Sequence, residues 1–158
     1  MRALTLSALT LSIVAALISG TCFAGERIAG SNAYFLNEQI WNTGKGTGFW
    51  MQNNFGTFEV TEGPLDPGPV ECHGSGFWTE FGASVTGDGI CIYGNGQDTF
   101  TLRYTSNPGR AATWEIIDAT GKYAGMTGSG KSATRQTDEG IKIRIRVTDW
   151  VGEVEFRK

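Results

Sequence analysis

Thr113–Gly130 reads TWEIIDATGKYAGMTGSG, and this stretch decides what kind of object the chain builds. Trp114, Ile116 and Ile117 open it as a short apolar strand, and glycines at 121, 125, 128 and 130 follow. Glycines so closely spaced break a helix. They suit a tight strand-to-strand connection, where they supply positive φ angles and close backbone packing. Gly121–Gly130 is therefore expected to join two strands.

The same grammar holds on either side. Asp98–Tyr104 alternates, with Phe100, Leu102 and Tyr104 on one face and Thr99, Thr101 and Arg103 on the other, and Ser106-Asn107-Pro108-Gly109 is a turn. Further upstream, Ala33–Trp41 and Gly46–Gln52 read as strands divided by an Asn42-Thr43-Gly44 turn. Phe55–Thr61 follows, with Phe58 and Val60 facing away from Thr57, Glu59 and Thr61. Glu62–Val70, with Pro64, Pro67 and Pro69, is a loop that either overhangs a barrel mouth or simply connects strands, the plainer reading. Downstream, Ser129–Gln136 is a further strand and Asp138-Glu139-Gly140 turns the chain. No segment of helical length keeps a 3.6-residue period without a glycine interrupting it.

Two further hairpins carry predictions of register. Cys72–Glu80 and Ala83–Tyr93 read as strands joined near Phe81-Gly82, which sets Cys72 opposite Cys91 and predicts a disulfide between them. The bridge closes a loop of about 20 residues and contributes roughly 3 kcal/mol on the chain-entropy account. At the C-terminus, Ile141, Ile143, Ile145 and Val147 share one face, and Lys142, Arg144 and Arg146 share the other. A turn at Thr148-Asp149 into Trp150–Phe156 would pair Val147 with Trp150, Ile143 with Val154, Arg144 with Glu153 and Lys142 with Glu155. On that reading the basic stripe is a solvated strand face, neutralised by acidic partners.

The N-terminus sets the expected compartment. Arg2, the apolar run Leu4–Ile18 and the small residue Ala24 before Gly25 have the form of a secretory signal peptide cleaved after Ala24, so residues 1–24 are a leader and 25–158 one β domain. The residues before Cys22 do not fit a lipidation signal, and no other apolar run is long enough to span a membrane as a helix. Without the leader, 12 basic and 16 acidic residues give a net charge of −4, which argues against a general nucleic-acid or anionic-membrane binder. Glycine, 23 of 158 residues, lacks a collagen period, so its abundance reads as many short strands with tight turns. The expected product is secreted or periplasmic.

Chemical motifs are sparse. Gly125–Ser132 satisfies the G-x-x-x-x-G-K-[ST] pattern of a phosphate-binding loop, but that loop must open a helix, and the residues from Ala133 to Gly140 are too short and too β-like to form it. Nucleotide binding is therefore refused. His73 is the only histidine, no G-x-S-x-G is present, and no second spaced ligand accompanies His73 and Glu71, so neither a triad nor a metal site is expected, and no cofactor. Glu80, Glu115 and Asp118 are the carboxylates that would serve as acid or base if they faced a cavity; otherwise they are surface groups. Trp50, Trp78, Trp114 and Trp150, with Phe77, Phe100 and Tyr104, lie in separate strands and either line a cavity or fill the barrel, core packing being the plainer reading. Trp78, Tyr104 and Trp114 are the candidate ligand contacts.

Trp114–Gly130, with its Gly121-Lys-Tyr-Ala-Gly125-Met-Thr-Gly128-Ser-Gly130 run, resembles bacterial exported proteins carrying an allene oxide cyclase barrel-like domain. Cys72-His73-Gly74-Ser75-Gly76 and Gly87-Asp88-Gly89-Ile90-Cys91 are similar to the paired cysteine strands of such proteins. The likeness runs from about Cys72 to Gly130, with Ala119 where a glycine is common. It implies a small calycin-like barrel, related in architecture to dirigent proteins and plant allene oxide cyclases. None of the plant cyclases' catalytic residues aligns with this chain, and none is carried over.

The expectation is an all-β, single antiparallel barrel of about eight strands with one disulfide. As to function, it is a non-enzymatic exported barrel that binds a small apolar ligand or a partner protein. The alternatives are an isomerase or cyclase that works by confining its substrate, with Glu80, Glu115 or Asp118 as acid or base, and a structural envelope module, for which a homotrimer is the expected assembly.

Overall fold

The computed structural model describes residues 25–79, 84–136 and 145–157. Its strands are β1 (Glu26–Phe35), β2 (Glu38–Gly44), β3 (Thr47–Glu62), β4 (Gly68–Thr79), β5 (Ser84–Asn95), β6 (Asp98–Ser106), β7 (Ala112–Ala119), β8 (Met126–Gln136) and β9 (Ile145–Phe156). One short 3-10 turn, Gly121–Tyr123, lies between β7 and β8. The order β1-β9-β8-β7-β6-β5-β4-β3 closes on itself because β1 also pairs with β3, and β2 is added on the edge of β3. The architecture is thus a closed eight-stranded antiparallel barrel with one outside strand. Closure pairs the backbone groups that an open sheet leaves at its edges.

The cysteine hairpin has the expected register. Cys72 faces Cys91, the Cα atoms are 4.1 Å apart, and the sulfurs are bonded. Its turn, including Glu80 and Phe81-Gly82, lies outside the described residues, as does the expected leader, residues 1–24.

The first strands differ from expectation in their breaks. Apart from Gly46, the expected strands Gly46–Gln52 and Phe55–Thr61 belong to one sixteen-residue strand, β3. Asn53 and Asn54 resemble a turn in sequence, yet Asn54 is fully buried and its side-chain oxygen accepts a hydrogen bond from the Asn37 amide at 2.8 Å. The break falls instead at Leu36-Asn37, which splits the expected strand Ala33–Trp41 into β1 and β2. Both pieces pair with β3 in one register, Phe35 facing Phe55 and Glu38 facing Gln52. The intervening turn sits at Lys45-Gly46, where Gly46 has φ +71°.

The C-terminal hairpin is a correction. Thr148 and Asp149 lie inside β9, which runs unbroken from Ile145 to Phe156 between β1 and β8. Val147 faces Ala33 and Arg135, Trp150 faces Gly30 and Ser132, and Glu153 faces Arg27 and Ser129. Ile141, Lys142, Ile143 and Arg144 lie outside the described residues. The inward face is the even one, with Thr148, Trp150 and Val154 buried, so Arg146 points into the barrel instead of joining a solvated stripe. Period-two alternation defines two faces and does not say which is inside, and this interior is partly polar.

Gly121–Gly130 is likewise shorter as a connection than expected. Gly121 and Gly125 have φ +57° and +79° and make the turn, whereas Gly128 and Gly130 lie within β8. Since Met126–Gln136 is a strand, the residues after Gly125 open no helix of the kind a phosphate loop requires.

One end of the barrel is closed. Phe58, Tyr93, Phe100, Tyr123, Met126 and Val154 pack there, with Tyr93 stacked on Phe100 at 4.8 Å between ring centres. The proline loop folds over them. Leu65 is only 5% exposed, the Asp66 amide donates to the Tyr123 hydroxyl at 3.0 Å, and Asp66 pairs with Lys122. The two segments that read as plain connections, the proline loop and the Gly121 turn, form this end cap together.

Candidate functional site

The other half of the barrel is hollow. A cavity of about 980 Å³ opens there, bottomed by Trp114, Trp150, Leu102 and the Cys72–Cys91 bridge, and rimmed by Ile40, Trp78, Val85 and the 106–112 segment. Small-molecule sites span roughly 300–1,000 Å³ and are mostly apolar with a few placed polar groups. An eight-stranded barrel is just wide enough for its side chains to fill or for one small ligand to enter.

Inward glycines explain why the space persists despite so many large rings. Trp114 lies against Gly130 and Gly152, Trp150 against Gly30, Trp50 against Gly87 and Trp78 against Gly48. The Tyr104 hydroxyl lies over Gly74 and Gly89, and a Cβ at any of these positions would overlap the ring. Each aromatic ring occupies the volume that a neighbouring strand's side chain would take, so it lies along the wall and leaves the axis open. Of the glycines expected in a loop, Gly130 does this work in β8, whereas Gly128 lies against Glu153 and Val154. Trp114 is further fixed by its indole N–H, which donates to the Lys131 carbonyl at 3.2 Å.

The polar groups inside are connected. Near the floor, Trp150 Nε1 donates to Asn32 Oδ1 at 2.9 Å, and Asn32 Nδ2 donates to the Tyr93 hydroxyl at 2.8 Å. Higher on the wall, the Thr148 hydroxyl bonds those of Tyr34 at 2.7 Å and Thr134 at 2.9 Å. Closest to the mouth, Arg146 Nη2 contacts Glu38 Oε1 at 2.7 Å, and its Nη1 donates to Gln52 Oε1 at 3.2 Å. Gln52 Oε1 also accepts from Asn54 Nδ2 at 2.9 Å, and Gln52 Nε2 donates to the Tyr104 hydroxyl at 2.8 Å. Tyr104 accepts in that bond, so its own proton is available to a further acceptor.

Burial governs the titration of the interior phenols. It pushes Tyr104 up to about 12 against the opposing effect of the Gln52 hydrogen bond, and it raises Tyr93 and Tyr34 as well. All three are neutral hydroxyls at physiological pH and serve as hydrogen-bonding groups, not as bases.

The sequence candidates separate cleanly. Trp78, Tyr104 and Trp114 all line the cavity, together with Trp50 and Trp150. Phe77, grouped with them in sequence, points outward and is 58% exposed, as strand alternation next to Trp78 demands. Phe100 is in the closed end. Glu115 and Asp118 are exposed on the outer wall and do not face the cavity: Trp114 and Ile116 take the inward positions beside Glu115, and a bulge at Ile117 sets Ala119 opposite Phe100 and turns Asp118 outward. Glu80 lies outside the described residues. His73 and Glu71 form a 3.0 Å contact on the outer wall, and among the described residues no group of three His, Cys, Asp or Glu could hold a metal.

Glu38 and Arg146 are the charged groups that sequence reading missed. Glu38 lies in an expected strand with nothing in its local sequence to mark it, and Arg146 faces the cavity and not the solvated side that its alternation with Ile145 and Val147 suggests. The remaining outward positions of the wall include exposed Glu59, Glu71, Arg103, Lys131 and Asp149, unlike the continuous apolar band, about 25 Å tall, of an outer-membrane barrel. Among the described residues no helix is long and apolar enough to cross a membrane. Compared with protein-family profiles, curated proteins and solved structures, the chain matches none.

Proposed function

We propose that the hollow half of the barrel is a binding site for a small, largely apolar molecule, and that the protein works as a binder and not as an enzyme. The observation that carries this reading is the cavity of about 980 Å³, floored by Trp114 and Trp150 and kept open by rings laid on glycines. Two features support binding over catalysis. The Glu38 carboxylate is occupied by Arg146, and the interior tyrosines stay neutral, so none of these groups is poised to move a proton. The resemblance of Trp114–Gly130 to exported allene oxide cyclase barrel-like proteins supports the same architecture and use. Export to an oxidising compartment belongs to this proposal, and is supported by the apolar leader and by the disulfide.

Titration with the uncharged fluorophore N-phenylnaphthylamine tests it. Saturable one-to-one binding that quenches tryptophan emission is expected, and Ser132→Phe, which places a ring in the cavity from β8, should abolish it without unfolding the barrel. Absence of saturable binding, or binding indifferent to Ser132→Phe, contradicts the reading.

A second reading, self-association, is favoured by an outward aromatic row. Trp41, Phe49 and Phe77 sit on adjacent strands with ring centres 5.7 and 5.3 Å apart, and Phe35 and Phe55 face each other further along β3, both about half exposed. Phe77→Asp should convert any oligomer, a trimer included, to monomer in light scattering; an unchanged mass argues against it.

A further inference from the structure

We infer that the cavity selects uncharged ligands, and that Glu38 is the residue that imposes this selection by neutralising Arg146. The inference rests on the binding reading above.

Arg146 projects inward from β9 above Thr148 and Trp150, and its side chain is 23% exposed. A guanidinium held in an aromatic cavity would, by itself, be a hook for carboxylate or phosphate. Glu38 removes that possibility. Its side chain is only 7% exposed and its Oε1 lies 2.7 Å from Arg146 Nη2, so the two charges cancel at contact. The placement is built by the strand break. Glu38 begins β2 opposite Gln52, and Arg146 pairs with Tyr34 near the end of β1, so the bend at Leu36-Asn37 carries the acid to the base. Gln52 then takes Nη1, and Gln52 is itself held by Asn54.

An anionic head close enough to reach Arg146 also meets Glu38, and a cationic head near Glu38 meets Arg146. Among the described residues, the other polar groups on this part of the wall, Tyr34, Tyr104, Thr134, Thr148 and Gln52, are neutral. Arg110 also lines the mouth, but it is exposed to solvent and screened by salt. What remains on offer is donation from the Tyr104 hydroxyl and from the unused guanidinium N–H groups of Arg146. The matching ligand has an apolar body and a hydroxyl, ether or carbonyl oxygen: an aliphatic or terpenoid alcohol or ketone, not a fatty acid or an amine.

A matched series with one apolar body tests this: decanol, decanoate and decylammonium, titrated calorimetrically at neutral pH against the full exported protein and its Glu38→Gln variant. Decanol should bind the unaltered protein at least about tenfold more tightly than either ion. In Glu38→Gln, whose circular dichroism should be unchanged, decanoate should gain at least about tenfold while decanol changes much less. Decanoate or decylammonium binding the unaltered protein as tightly as decanol overturns the inference and leaves the binding reading standing. So does a decanoate affinity that does not respond to Glu38→Gln. If none of the three binds the folded protein, the binding reading fails and takes the inference with it. If Glu38→Gln does not fold, the comparison within the unaltered protein still decides whether the cavity selects uncharged ligands, and the double variant Glu38→Gln/Arg146→Met, which should keep the preference for decanol without gaining decanoate, tests whether the guanidinium is what Glu38 neutralises.

Discussion

Glu38 and Arg146, from the second and the last strand of the fold, meet at 2.7 Å inside the barrel mouth. An ion pair withdrawn from water is weak evidence of net stabilisation, but removing one member takes from the other the opposite charge it was buried against. Arg146→Met should therefore lower the free energy of unfolding by about 2–3 kcal/mol. The double variant Glu38→Gln/Arg146→Met should recover most of that loss. Urea denaturation of the two singles and the double provides the cycle, and purely additive losses would show that the pair is not coupled.

Trp114 and Gly130 make a second relationship that a single methyl group can probe. A Cβ on Gly130 would overlap both the Trp114 ring and the Val151 carbonyl, so Gly130→Ala should cost roughly 1–3 kcal/mol and alter the near-ultraviolet circular dichroism of the tryptophans. Gly68→Ala is the control. Its Cβ would meet nothing nearer than 3.5 Å from Phe58, so its stability should stay close to that of the unaltered protein.

Alkaline pH reads the interior tyrosines. Tyr34, Tyr93 and Tyr104 have folded-state values raised by burial above the ordinary one of about 10. Folding therefore favours the neutral phenols. The stability they contribute is intact below about pH 10 and is lost as the pH climbs toward the folded value, about 12 for Tyr104. Phenolate absorbance should show these three ionising late and together with unfolding; early ionisation of all of them in the folded protein would contradict their burial.

Much of this fold could be read from residues close in sequence. The alternation of Phe100, Leu102 and Tyr104 and the facing of Cys72 and Cys91 depend on one strand or one hairpin, where period two and turn length suffice. What could not be read depended on distant partners. Thr148-Asp149 has turn chemistry, yet the pairing of Asn32 with Thr148 and of Ser31 with Asp149 overrides it. Arg146 was placed outside because charge ordinarily seeks water, and only the arrival of Glu38 across the barrel makes its inward position tolerable. The cavity candidates Trp78, Tyr104 and Trp114 are legible in the sequence as aromatics on separate strands, for which core packing is the plainer reading. The empty space before them is not legible, because it arises from glycines on neighbouring strands.

The central claim, a cavity that carries a small neutral molecule, is tested most directly by native mass spectrometry of the protein purified from its own host. The account predicts a small-molecule adduct that is released on denaturation, carries no ionisable group, and is missing from Ser132→Phe prepared in the same way. Recovery of both proteins free of ligand, or of an adduct equally abundant in the variant whose cavity is filled, would contradict it.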